Sequence, residues 1–221
     1  MNFLELYETK PSNYFICADL ERNQFAGGIG KSSQMQYLAH EICGKEVQGR
    51  IVIPIYAKMS ELNTRQVDSD VLYQFVLAYF PHHVTKKAVV EMIQKSQGHQ
   101  FLFLLDGINE VNNYVLANGQ TVYDCVGSNI KELIQNDNVH IIITSRAENE
   151  ILFDSQLKDT FEKRYLYPLE YQQYKDYLQM DEAQVLPEPL VKICENAMLL
   201  RMFKTVYEAD QPGWLQHLRL H

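Results

Sequence analysis

The chain has 221 residues, 46% hydrophobic and 22% charged, with a formal net charge of −8. That much apolar material supports a sizeable core and excludes a disordered chain, while the negative charge argues against broad electrostatic binding to nucleic acid or to an anionic membrane. The four cysteines, Cys17, Cys43, Cys125 and Cys194, lack the spacing of a zinc-ligand set.

No apolar run approaches the roughly 18 residues of a membrane span, and Met1-Asn2-Phe3-Leu4-Glu5 has no basic start of the kind that opens a signal peptide. A reducing, cytoplasmic setting is the simplest expectation.

In chain order, Tyr14-Phe15-Ile16-Cys17-Ala18 reads as a short strand, and the polar stretch 19–24 after it does not. Residues 32–43 carry Met35, Leu38, Ala39 and Ile42 at helical spacing and stop at Gly44. Residues 50–57 are rich in β-branched side chains and read as a strand with Pro54 near its end. Helices follow at 68–80, closed by Pro81, and at 86–96, closed by Gly98. Phe101-Leu102-Phe103-Leu104-Leu105 is an unbroken apolar run of the kind found in a parallel strand covered on both faces. A helix at 121–135 leads to a second such run, Val139 to Ile143, and a short strand is expected at 165–167.

Strands alternating with helices predict an α/β fold, a doubly wound parallel sheet. Beyond Pro168 the pattern is helical only, with one helix over 170–178 and another over 189–207. The expected organisation is an N-terminal segment (1–24), a nucleotide-binding domain (25–168) and a small helical domain (169–221).

Three polar clusters stand where this fold puts ligands, at the carboxyl ends of strands. The first is Gly27-Gly28-Ile29-Gly30-Lys31-Ser32-Ser33. Glycines let backbone N–H groups approach an anion, and the helix that follows adds the positive end of its dipole. Lys31 suits the β- and γ-phosphates of a nucleotide, and the Ser32 hydroxyl suits Mg²⁺. The full pattern, G-x-x-x-x-G-K-[ST], wants glycine where Phe25 stands. A phosphate-binding loop also leaves a buried strand, yet the residues just before this one are polar. Either 14–18 is that strand, joined by an unusual connection, or residues are absent between about 23 and 26; the missing glycine and the missing strand fall at one place, which favours the second.

The second cluster is Asp106 with Glu110: the first can hold Mg²⁺ directly or through water, the second can orient or deprotonate an attacking water. The third is Thr144-Ser145-Arg146, where Arg146 can reach a γ-phosphate. Taken singly, each also fits a plain structural role. Their order along the chain is the one a P-loop ATPase requires.

With these motifs the chain resembles a NACHT-type domain of the STAND branch of P-loop ATPases, over about residues 26–207. Gly30, Lys31 and Ser32 match the family's Walker A motif. Asp106, Gly107, Ile108 and Glu110 match its Walker B motif, in which a small residue follows the Mg²⁺ aspartate; Asn109 replaces the first of two acids. The stretch 141–146 resembles sensor 1, and Asn196-Ala197-Met198-Leu199-Leu200 resembles an Asn-Pro-hydrophobic-Leu motif with Ala197 in place of the proline.

The resemblance implies a P-loop core of the ASCE class that binds ATP and ADP with Mg²⁺. It implies a switch that self-associates in the ATP state, in innate immune or antiviral signalling, with no direct nucleic acid or membrane partner. It also implies slow hydrolysis resting on Glu110, and a longer protein in which a winged helix would follow. Two alternatives remain: a nucleotide-dependent scaffold that does not turn over, and a small-molecule P-loop kinase.

Overall fold

The computed structural model describes residues 2–18, 28–64, 68–78, 84–145, 158–180 and 185–209. The chain divides into two compact units, residues 1–17 with 31–165, and residues 18–30 with 166–221.

The first unit is built on a six-stranded sheet of order β2-β3-β4-β5-β1-β6. Its strands are β1 (Tyr14–Ala18), β2 (Glu46–Val47), β3 (Arg50–Lys58), β4 (His99–Asp106), β5 (Val139–Thr144) and β6 (Glu162–Leu166). The pairs β3–β4, β4–β5 and β1–β5 are parallel, and the short β2 runs antiparallel to β3. This is the α/β architecture expected from the alternating pattern, with an antiparallel edge added.

The apolar runs of β4 and β5 are interior for a simple reason. Helices cover both faces, so every residue from Gln100 to Asp106 is buried. One face packs on α3 (Val71–Leu77), α4 (Lys86–Lys95) and α5 (Val122–Leu133), through Phe101, Phe103, Leu105, Ile141 and Ile143. The opposite residues of the same strands, such as Leu102, Leu104 and Ile142, are equally buried. On α1 (Phe3–Thr9) and α2 (Lys31–Ile42), Phe3, Leu6, Met35, Leu38 and Ile42 are buried too.

Local chemistry sets the helix starts. The Thr85 hydroxyl accepts from the Ala88 N–H, and Thr121 with Asp124 forms a reciprocal capping box at α5.

One expectation is corrected. The strand thought to be lost before the glycine loop is present: Tyr14–Ala18 pairs in parallel with β5, Tyr14 opposite Ile142, and all five of its residues are buried. The N-terminal stretch therefore belongs to the sheet. The segment 23–26, where a gap in the chain was expected, lies outside the described residues. The short last strand also starts earlier than its apolar residues suggest, at Glu162, whose N–H donates to the Asn13 carbonyl.

The second unit has a core of Tyr174, Leu178, Leu186, Cys194, Leu200 and Phe203. They come from α6 (Tyr171–Leu178), α7 (Glu188–Cys194), α8 (Ala197–Ala209) and the stretch before α7. The single helix expected over 189–207 is two helices. Asn196 breaks it, because its side-chain oxygen accepts from the N–H groups of Met198 and Leu199 and so caps α8. No helix among the described residues is long and apolar enough to cross a membrane.

Candidate functional site

In the first unit the polar ends of three parallel strands meet. Asp106 is the last residue of β4 and is 4% exposed. Burying a carboxylate is costly unless its oxygens are bonded, and here both are. The Thr144 hydroxyl donates to Asp106 Oδ1 at 2.7 Å, and the Tyr56 hydroxyl donates to Oδ2 at 2.9 Å. Thr144 Oγ1 also accepts the Gly107 N–H at 2.9 Å, so one buried hydroxyl ties the end of β5 to the residue after β4. Ser145, buried, donates its N–H to the Ile16 carbonyl of β1 at 3.0 Å.

Tyr56 links this group to α2, since the Gln36 amide donates to its oxygen at 3.4 Å. Burial first, and then the adjacent Asp106 carboxylate, push the Tyr56 phenol up to about 12 against the opposing effect of Gln36, so it remains a donor at neutral pH. Sequence reasoning missed Tyr56. The only signal was its place near the end of a strand adjoining that of Asp106.

Gly107 is needed where it stands. Its φ is +74°, and a Cβ there would meet Glu110 Cδ at 3.2 Å. The Glu110 side chain therefore folds back over the backbone just after Asp106, at the head of a 3₁₀ turn, Ile108–Glu110. Glu110 thus lies against the residue that follows Asp106. Asn109 meets Ser145, with its Oδ1 3.5 Å from the serine Oγ. Lys31 opens α2, followed by Ser32 and Ser33, both exposed.

In the second unit Gly28 and Gly30 take positive φ values, +75° and +97°, with Ile29 buried between them. The Gly28 carbonyl accepts the Met198 N–H at 2.9 Å. A Cβ on Gly28 would lie 2.8 Å from Met198 Cβ and 3.0 Å from Asn196 Oδ1. The glycine loop is thereby fitted against the first turn of α8, where the sequence offered only a family-like motif. Gly27 and Arg146, also expected at the site, lie outside the described residues. Cys17, Cys125 and Cys194 are buried and Cys43 is exposed; no cluster of metal-ligating side chains occurs among the described residues.

A family model described as the NACHT domain matches residues 26–182. Several solved structures share the fold. An ORC2 protein of Aeropyrum pernix, solved as ADPNP-ADP complexes, aligns with a TM-score of 0.57 at 9% identity, over 94% of this chain and 61% of that one. A Cdc6p of Pyrobaculum aerophilum aligns at 0.53 and 13% identity, over 95% and 60%. PCH-2 of C. elegans aligns at 0.52 and 12% identity, over 95% and 60%. At such identities the likeness is one of fold, that of the α/β P-loop nucleoside triphosphatases. The chain spans about 60% of the length of these structures. No curated protein matches it.

Proposed function

The chain belongs to the NACHT family of P-loop nucleotide-binding domains, and from that premise we propose that it is an ATP- and ADP-binding switch, a slow Mg²⁺-dependent triphosphatase whose nucleotide state controls self-association. The observation that carries the reading is the buried Asp106, fixed by two hydroxyls at the end of β4, in a chain whose α2 opens with Lys31 and Ser32 after two left-handed glycines.

The donor set suits the ligand. Lys31 and the first N–H groups of α2 would receive the β- and γ-phosphates, as helix N-termini do for anions. Ser32 and Asp106 offer the hydroxyl and carboxylate oxygens that a hard divalent cation prefers. Bound there, Mg²⁺ would neutralise charge on the β- and γ-oxygens. Glu110 would orient or deprotonate the attacking water, and Arg146 would contact the γ-phosphate that ADP lacks. Gly27, Gly28, Ile29, Gly30 and Ser33 complete the loop around the phosphates. Adenine is favoured by the resemblance and by the ADPNP-ADP complexes of the ORC2 protein that shares the fold. The assignment to cytoplasmic innate immune or antiviral signalling rests on family membership alone, and the proposal includes no direct contact with nucleic acid or membrane.

Titration calorimetry tests the site. Wild type should bind MgATP and ADP, and Lys31→Ala should bind neither while keeping its fold; unchanged ATP affinity in the folded variant would sink the assignment. A second reading, binding without turnover, is favoured by Asn109, which cannot act as a base where relatives carry an acid. Single-turnover phosphate release separates the two. Release that Glu110→Gln suppresses supports the triphosphatase, and absent release with intact ATP binding supports the scaffold.

A further inference from the structure

At the amino ends of the strands, away from Asp106, lies a second polar group that the nucleotide reading does not use. In the register of the sheet Val52 pairs with Gln100 and Leu102 with His140. Side chains two apart share a face, so Arg50, Gln100 and His140 form a polar row across three adjacent strands. The next residues on that face, Val52, Leu102 and Ile142, are all buried and apolar. Tyr7 of α1 closes the row, its hydroxyl 2.9 Å from His140 Nδ1. A cavity of about 290 Å³ is lined by these four side chains together with Gln48 and Asp137.

The row holds more donors than acceptors. The Arg50 guanidinium reaches the Asp137 carbonyl at 2.7 Å and Gln100 Oε1 at 3.4 Å, and no carboxylate of a described residue is ion-paired with it. Gln100 is 5% exposed, and its amide nitrogen is buried with no hydrogen-bond partner among the described residues. Such a group is costly to leave unpaired and calls for a partner. Tyr7 keeps its proton, because burial and Tyr14 hold the phenol well above its usual range. In the tautomer that carries the ring proton on Nε2, it donates to His140 Nδ1, and Nε2 is a further donor.

We propose that this cavity binds a small monocarboxylate. One planar pair of oxygens can take the free N–H groups of Arg50 in a fork and accept from His140 Nε2. It can also accept from Gln100 Nε2 once the amide turns away from its long 3.4 Å contact with Arg50. The exposed Asp137 at the rim balances the single guanidinium charge, which disfavours polyanions. The volume is at the lower end for ligand sites, so the guest is small. The site belongs to the first unit alone and is independent of the nucleotide reading.

Side-chain NMR on the full chain tests this, with acetate as the probe. Acetate should shift the His140 ring and Gln100 amide resonances saturably, with half-saturation at or below about 10 mM. Chloride at equal ionic strength should not, and inorganic phosphate should bind at least about tenfold more weakly. Arg50→Met should abolish the acetate shifts. His140→Phe, which keeps an aromatic ring beside Tyr7, should weaken acetate binding severalfold and serves where Arg50→Met fails to fold. Absence of saturation by acetate in wild type, equal response to chloride, phosphate binding as tight as acetate, or full acetate affinity in either folded variant would overturn the proposal.

Discussion

Thr144→Val is the substitution that most directly tests how Asp106 is held. Valine has the shape of threonine, so packing at this fully buried position is kept and only the hydroxyl is removed. Two bonds go at once: the charge-assisted one to Asp106 Oδ1 at 2.7 Å and the one from the Gly107 N–H at 2.9 Å. A hydrogen bond to a charged group contributes about 1.5–3 kcal/mol, and a buried N–H left without a partner costs about 1–3 kcal/mol. The expected loss is therefore about 3–5 kcal/mol, a large part of the stability of an ordinary domain. Thr144→Ser keeps the hydroxyl and removes one methyl, which should cost about 1 kcal/mol. Tyr56→Phe removes one bond from a half-buried position where water can replace it, and should also cost about 1 kcal/mol. Urea unfolding of the three variants gives the comparison. The reasoning fails if valine costs no more than serine, because then the hydroxyl does not hold the carboxylate.

The glycine loop makes a second pair. Gly28→Ala and Gly30→Ala both force alanine into left-handed backbone at about 1–2 kcal/mol. Only Gly28 adds a collision, at 2.8 Å from Met198 Cβ, whereas at Gly30 the nearest atom is Ala197 Cβ at an ordinary 3.5 Å. Thermal unfolding should therefore rank Gly28→Ala as clearly the worse; equal effects would count against the fit of the loop on α8. Asn196→Ala removes the cap of α8 and should destabilise by about 1 kcal/mol, read from the same melts. For His140, burial first and Arg50 second push the imidazole down to about 4. A folded-state value below the unfolded 6.5 means that the unfolded chain binds the proton more tightly. Its contribution is complete above pH 6.5 and is lost as pH falls toward 4, by at most about 3 kcal/mol. His140→Gln should flatten the stability profile between pH 6.5 and 4; an unchanged slope would refute the assignment.

What the sequence reveals and what it hides divides along contact range. The runs 101–105 and 139–143 are legible because strands covered on both faces leave no polar position, and Asp106 is legible because it follows such a run at once. Gly107 is also readable, since a left-handed residue after the strand favours glycine. The strand before the glycine loop is hard to read because phosphate-binding loops are expected to adjoin their strand, whereas ten residues of sequence separate Cys17 from Gly28. Tyr56 and Thr144 act on Asp106 across separations of 50 and 38 residues. Those pairings depend on sheet order and register, which no local pattern encodes. The break at Asn196 lies inside an unbroken apolar periodicity, and a buried asparagine that caps a helix looks there like any polar position between apolar ones.

The way Asp106 is fixed bears on where a switch can reside. A ligand shifts a two-state equilibrium only by its differential affinity for the two states. Asp106 is gripped by Thr144 from β5 and by Tyr56 from β3, and Tyr56 in turn by Gln36 from α2. All of these belong to one compact unit, and Asp106, Thr144 and Tyr56 lie on strands paired along their length. A group so over-determined presents the same oxygens in any state that keeps the sheet, so it can serve affinity but discriminates weakly between states. In the proposed switch, discrimination has to come from groups outside that grip: Arg146, assigned as the contact to the γ-phosphate that ADP lacks, and the loop glycines, where the Gly28 carbonyl is bonded to the first turn of α8. Substitutions at Tyr56 should then lower the affinity for MgATP and MgADP together, while substitutions at Arg146 or Met198 should change their ratio. Calorimetry with both nucleotides distinguishes the two patterns, and a Tyr56→Phe variant that altered the ATP-to-ADP ratio as much as Arg146→Ala would contradict the division of roles.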